Sequence, residues 1–287
     1  MWQDNFLEYL FEQGKSQLTI NQYGRALTHF ARWLEQSYGE AFDPAAVLPR
    51  DVADWKAYQQ TVERAAPATI NQRLTALSQF FRWAAANGHT RRDPTGPVKQ
   101  LRLEPRRPQA LDKKQTRRLL RQVALAGHRR DIALVTLLLE TGLRVSEVLA
   151  LTPADLTLKE RSGEVIVRRG KGGQPRTVPL TVEARRALQS YLVEEVTDEE
   201  LWTGQRGPLQ DTSAIYKLLK NYAFQARLDP ELVTPHALRH TFATRYLERN
   251  PGDLRGLAAL LGHRSLDTVM VYTQPTTEEL TRRMEAR

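Results

Sequence analysis

Six side chains in the second half of the chain share one chemical theme: Arg144, Lys171, His236, Arg239, His263 and Tyr272. Two guanidiniums, an ammonium and two imidazoles are the donors needed to hold a phosphodiester and to stabilise the charge that builds on it during displacement. A tyrosine downstream supplies an oxygen nucleophile able to form a covalent phosphoester. These residues lie in the strings TGLRVSE (141–147), RGKGGQPRTVPL (169–180), HALRHTFAT (236–244), LLGHRSLDT (260–268) and VMVYT (269–273).

Each position has a local reason. Arg144 follows the helix-stopping turn Thr141-Gly142 and opens a helix carrying Glu147. A guanidinium at such a junction can give a phosphate two parallel hydrogen bonds, or it can pair with Glu147. Lys171 sits at a hairpin tip among glycines, which let the backbone approach a partner. An ammonium there can protonate a leaving oxygen once its pKa is lowered; otherwise GKGG is a plain turn. His236 and Arg239 are three apart and face the same way on a helix that starts at Thr234-Pro235, where exposed N–H groups favour an anion. His236 and His240 are also spaced i,i+4, a zinc-compatible step, but the glutamate of an HExxH motif and a third ligand are missing, so no metal is expected. His263 follows Leu260-Leu261-Gly262, a helix end closed by glycine, and can reach a phosphate or cap that helix. Tyr272 ends the apolar segment Val269-Met270-Val271, which would hold the phenol in place. A free phenol, with pKa about 10, attacks poorly and needs a cationic pocket and a base.

The bulk composition agrees with an anionic partner. The 287 residues are enough for two domains, and the net charge is +9. Residues 1–104 hold 12 Lys+Arg against 11 Asp+Glu, whereas 105–287 hold 30 against 22, so the excess sits with the motif residues. There are no cysteines, which excludes disulfides, thiolate metal sites and cysteine nucleophiles. No apolar run approaches a membrane span, and the acid-bearing start WQDNFLEYLFEQ does not read as a signal peptide.

Two blocks must position the six residues. Apolar residues at 3–4 spacing predict helices at 19–34 (Ile20, Tyr23, Leu27, Phe30, Leu34, with Thr19 as cap) and 67–86 (Ile70, Leu74, Leu77, Phe81, Ala84, stopped by Asn87-Gly88). Shorter helices at 2–13 and 51–64 complete a four-helix unit whose aromatics form its core. Residues 93–110, with four prolines, read as a linker. Beyond it, helices are expected at 112–126, 131–140, 145–151, 181–192, 211–226, 235–249, 253–261, 265–271 and 277–286. One β-hairpin is expected, with Val165–Val167 and Thr177–Pro179 as its strands.

The residue order, the wording around each, and the nine-residue step from His263 to Tyr272 resemble the tyrosine recombinases, the phage-integrase family, over essentially the whole chain. The resemblance implies a mainly α fold with a small β-hairpin or sheet, closing as a clamp around DNA. A helical core-binding domain would span 1–92, a linker 93–110, and an α+β catalytic domain 111–287 with an exchange helix at 277–286. Arg144 and Arg239 would clamp the scissile phosphate and His263 would join them on the transition state. His236 would be base or further phosphate ligand, Lys171 the acid for the departing 5′ oxygen, and Tyr272 the nucleophile forming a 3′-phosphotyrosyl bond. Glu147 and His240 would be supports. Candidate DNA contacts are Asn71, Arg73, Arg106, Arg107, Arg169, Lys217 and Lys220. The partners implied are double-stranded DNA carrying paired sites and a homotetramer passing through a Holliday junction, with room for a second recombinase or activator. No cofactor is implied, and the setting is the cytoplasm, on the nucleoid. Because the helical unit starts almost at residue 1, a simple Xer-like recombinase is expected rather than one with an added arm-binding domain.

Three other functions are compatible with parts of the sequence. A type IB topoisomerase shares the Arg, Lys, Arg, His and Tyr chemistry, and a non-catalytic DNA-binding protein could keep the fold. A metal-dependent nuclease would need clustered carboxylates near the basic motifs, and none are found there.

Overall fold

The computed structural model describes residues 2–39, 41–103, 110–168, 175–195, 200–204, 207–209, 211–262, 267–270 and 284–285. The chain packs as two units, Met1–Arg106 and Arg107–Arg287.

The first unit is built from α1 (Trp2–Glu12), α2 (Gln17–Tyr38), α3 (Pro49–Thr61) and α4 (Pro67–Ala86). The cap of α2 is Ser16, not Thr19: the Ser16 hydroxyl accepts from the Thr19 N–H at 3.3 Å, and the helix begins two residues before the predicted start. Thr19 occupies the third helical position, whose N–H the capping side chain satisfies. Pro49 and Pro67 sit in the first turns of α3 and α4, where a missing N–H costs nothing. Phe6, Leu27, Phe30, Trp55, Ile70, Leu77, Phe80 and Phe81 are all fully buried. Of the aromatics expected in the core, Phe30, Trp33, Phe80, Phe81 and Trp83 are buried and Tyr23 packs against them half-buried, with edge-to-face pairs such as Phe30–Trp55 (centroids 5.0 Å apart) and Phe80–Phe81 (5.2 Å).

Part of the predicted linker belongs to this unit. Val98 and Leu101 pack on the helical core. Asn71 of α4 holds Leu101 from both sides, its amide donating to the Leu101 carbonyl at 2.8 Å and its carbonyl accepting the Leu101 N–H at 2.8 Å. Asn71 is thus buried and occupied in pinning 98–101, rather than presented as a base-reading side chain. Arg73 is drawn into the unit as well, donating to Glu63 at 2.8 Å and to Gln59 at 3.0 Å. Arg106 and Arg107 lie outside the described residues.

The second unit opens on α5 (Lys113–Ala126), whose Asp112 cap and Gln115 form a reciprocal capping box. The next helix, α6 (Arg129–Thr141), is buried nearly all round, with Ala133, Leu134, Val135, Leu137 and Leu138 fully inaccessible. That is the signature of a central helix. Around it stand α7 (Val145–Leu149), α8 (Val182–Glu195), α9 (Thr212–Gln225), α10 (Pro235–Arg249), α11 (Leu254–Leu261) and α12 (Asp267–Met270). The predicted helix 277–286 falls largely outside the described residues.

The sheet is larger than one hairpin. Strands β1 (Leu156–Leu158), β2 (Gly163–Val167) and β3 (Arg176–Pro179) form an antiparallel sheet in that order, with Val165 opposite both Leu156 and Val178. A second, two-stranded piece pairs β4 (Thr203–Gly204) with β5 (Gly207–Pro208). Three-residue and two-residue strands carry too little alternation to register as a pattern. The pairing of β2 and β3 is the one the sequence predicted, and it places Arg176 opposite Val167.

Replacing Asn71 by Ala removes both hydrogen bonds to Leu101 and leaves two half-buried backbone groups unpaired, at a cost of about 2 kcal/mol. Amide exchange should therefore accelerate at residues 98–101 while α1 to α3 keep their protection. Unchanged exchange at 98–101 would show that the segment is held by packing alone.

Candidate active site

The site grows from three helix ends and one strand start. Helix α6 stops at Gly142, which is left-handed (φ 62°) and whose N–H returns to the Leu138 carbonyl at 3.2 Å. A Cβ at this position would run into the Phe242 ring and lie 2.9 Å from Leu261, so the turn requires glycine on both backbone and steric grounds. The chain then delivers Arg144 as the residue before α7, in an extended conformation (φ −68°, ψ 146°).

Glu147 lies one turn into α7 and is the centre of the cluster. Its side chain is only 3% exposed. It accepts from the Arg144 backbone N–H (2.9 Å) and from the Arg144 guanidinium (2.8 Å). Arg176, from the start of β3, adds a bidentate pair, NH1 to Oε1 at 3.0 Å and NH2 to Oε2 at 2.8 Å. Burial by itself would raise the Glu147 pKa. The hydrogen bonds from Arg176 and the Arg144 N–H, with the Arg176 charge, outweigh it and hold the carboxyl below its ordinary value. Glu147 is therefore an anion in the interior, satisfied by two cations. Among the described residues, Nε and NH2 of Arg144 have no hydrogen-bond partner, and its side chain keeps 26% of its exposure.

Arg239 reaches the same place from α10. It is buried and donates to the Gly142 carbonyl at 2.6 Å and to the Leu261 carbonyl at 2.8 Å. Helix α10 is positioned by Thr234, whose hydroxyl caps it by accepting from the Ala237 N–H at 3.1 Å, and by Pro235 in its first turn. His236 stands in that first turn and Arg239 one turn later, as their spacing predicted. The His236 residue is exposed, yet desolvation of the ring, with the Arg239 charge second, draws its pKa below 6.5 and leaves it neutral at physiological pH. His240 points away from solvent, its Nδ1 3.3 Å from the Thr244 hydroxyl, which fits a supporting role inside α10.

Helix α11 ends at the third face of the cluster. Its last carbonyls have no helical partners, and two arginines take them: Arg176 Nε binds Leu260 at 3.0 Å and Arg239 NH2 binds Leu261 at 2.8 Å. Gly262 closes the helix at φ 65°, and a Cβ there would meet the Arg176 guanidinium at 2.8 Å. His263 is the next residue in the chain. Lys171, Arg169, His263 and Tyr272 themselves lie outside the described residues. Of the six chemical residues, Arg144, His236 and Arg239 are placed, and the first and last share the α6–α7 turn.

Arg176 is a member of the cluster that was not among the sequence candidates. Its signal was present as the arginine of the string RGKGGQPRTVPL, two residues before the buried Val178. The proposed DNA contacts Lys217 and Lys220 lie on α9, where Lys220 pairs with Glu231 at 2.6 Å on an exposed face.

Comparisons with known proteins show the family and the fold. Residues 109–279 match the phage integrase family, and residues 4–88 match the phage integrase N-terminal SAM-like domain. Tyrosine recombinase XerD of Ralstonia nicotianae is 35% identical over 278 residues, covering 94% of this chain and 87% of that protein. Tyrosine recombinase XerC of Neisseria gonorrhoeae is 33% identical, covering 94% and 90%. Among solved structures, XerH bound to its difH substrate before cleavage superposes with a TM-score of 0.74, covering 98% of this chain and 83% of that one at 22% identity, a likeness of fold. The chain belongs to the phage integrase family of tyrosine recombinases, enzymes that break and rejoin DNA. Within that family it is Xer-like, and its activity is site-specific recombination.

The depressed Glu147 pKa fixes the sign of a pH effect. A carboxyl whose folded pKa lies below its unfolded value stabilises the protein above about pH 4.5, and that contribution is lost as pH falls through the folded value. Glu147→Gln should cost about 3 kcal/mol or more at neutral pH, because two arginines lose their counter-charge. The gap to wild type should close on acidification below the ordinary carboxyl value of 4.5. Urea denaturation from pH 7 to pH 3 measures it, and a gap independent of pH would contradict the charged assignment.

Proposed function

We propose that Tyr272 attacks a DNA phosphodiester held by Arg144 and Arg239, exchanging strands through a 3′-phosphotyrosyl intermediate. The reading is supported chiefly by the Arg144 guanidinium, anchored by one nitrogen on Glu147 and without a partner on the others among the described residues, and by Arg239, which grips the same turn. Two such groups suit the non-bridging oxygens of a pentacoordinate phosphorus, where negative charge grows. His263 joins them as a donor.

The electron and proton balance is simple. The phenolic oxygen of Tyr272 forms a bond to phosphorus while the bond to the 5′ oxygen breaks. The phenol proton passes to His236, which is neutral and can accept it. Lys171 gives a proton to the departing 5′ oxygen. The phosphotyrosine keeps the energy of the original diester, so a 5′ hydroxyl from another strand can reverse the step and join new partners. The DNA partner follows from the basic second half of the chain and from relatives solved on DNA substrates. Recombination of paired sites calls for four protomers and a Holliday junction, with Lys217 on α9 at the DNA surface. Residues 277–286 would dock on a neighbour, and the setting is the cytoplasm.

Incubation with a nicked suicide duplex carrying a DNA site selected by the protein from random sequence should trap a covalent adduct on a denaturing gel. Tyr272→Phe should abolish it, and the wild-type rate should fall with acid through a pKa below 6.5 as His236 is protonated. An adduct that survives in Tyr272→Phe would overturn the assignment of the nucleophile.

A further inference from the structure

We infer that Arg176 is a positioning residue of the cleavage reaction, a clasp that sets Arg144 through Glu147 and at the same time fixes the helix end from which His263 departs. The inference rests on the proposed function and adds to it a residue that touches no DNA.

The geometry is economical. All three nitrogens of the Arg176 guanidinium are committed: NH1 and NH2 to the two Glu147 oxygens at 3.0 and 2.8 Å, and Nε to the Leu260 carbonyl at 3.0 Å. With 12% of its side chain exposed, it is not offered to a ligand. Its place in the cluster follows from β3, which it begins, and the strand it pairs with ends at Val167, just before the lysine-bearing turn in sequence. One planar side chain thus joins three segments that carry or adjoin Arg144, Lys171 and His263.

The charge arithmetic gives Arg176 its function. Glu147 without Arg176 would hold Arg144 as its one guanidinium partner and would draw that group fully into a salt bridge. With Arg176 on both oxygens, the carboxylate is already neutralised, and Arg144 needs only NH1 to stay anchored while its other nitrogens face a phosphate. Lysine cannot replace this fork, because it offers a point charge and no planar pair of donors.

Arg176→Gln and Arg176→Lys, both checked for a cooperative thermal transition, would be compared with wild type on the selected suicide duplex. Single-turnover cleavage should slow by about a hundredfold in both, the loss typical of a misplaced catalytic group. DNA affinity should stay close to wild type. The pH profile gives a readout that simple destabilisation would not move. Without Arg176 the Glu147 carboxyl loses the donors that hold its pKa down, so a new acidic limb should move up into the measurable range. The limb should vanish in Arg176→Gln combined with Glu147→Gln. Cleavage by Arg176→Gln at the wild-type rate, or slowed cleavage with matching loss of affinity and an unshifted profile, overturns this inference alone. An absence of adduct with wild type overturns the proposed function, and this inference with it.

Discussion

The second unit is organised around a buried carboxylate. Glu147 has lost its water and is stable as an anion because two guanidiniums and a backbone N–H replace it. Such a pair is costly to bury and costly to break, so its geometry is held tightly. Arg144 and Arg176 are bonded to Glu147 directly, and Arg239 grips the Gly142 carbonyl of the turn that precedes it. The α6–α7 turn presents Arg144, β3 presents Arg176, and the end of α11 is gripped by Arg176 and Arg239.

The supporting layer explains why this arrangement needs a mixed domain. Helix α7 is only five residues long and would not hold a fixed position by itself. It is pinned from behind by Trp202, whose indole N–H donates to the Val148 carbonyl at 2.6 Å and whose ring stacks on Tyr191. Helix α6, buried on nearly every side, is the post against which α8 and α10 pack. Asp131 at its start is held by Arg130 and by the Tyr222 hydroxyl of α9 at 2.7 Å. Burial and that hydrogen bond to Asp131 push the Tyr222 phenol well above its ordinary value, so it serves as a donor and not as a nucleophile.

Much of this was legible in the sequence, for physical reasons. Long periodic helices such as α4 and α6 announce themselves by their apolar stripes, and His236 and Arg239 had to share a face at a spacing of three. The β2–β3 pairing followed from Val-rich runs around a glycine turn. What could not be read was long-range satisfaction of polar groups. Asn71 looks like any exposed amide until Leu101, thirty residues later, is seen between its two atoms. Arg176 looks like one more basic residue in a basic hairpin until its fork meets Glu147, twenty-nine residues earlier. β1 has no sequence signal because three residues, Leu156–Leu158, carry no period, and Thr19 is as good a capping residue by type as Ser16, which holds the cap.

Glu147 and Arg176 form one hydrogen-bonded unit that anchors Arg144, and the proposed reaction needs them to act together. A double-mutant cycle on the single-turnover cleavage rate, with Glu147→Gln, Arg176→Gln and the combination, tests it directly. If the two residues work through one another, the combined variant should cleave no more slowly than the worse single variant. If their effects on the rate simply multiply, the carboxylate and the clasp act independently, and Arg176 does not set Arg144 through Glu147.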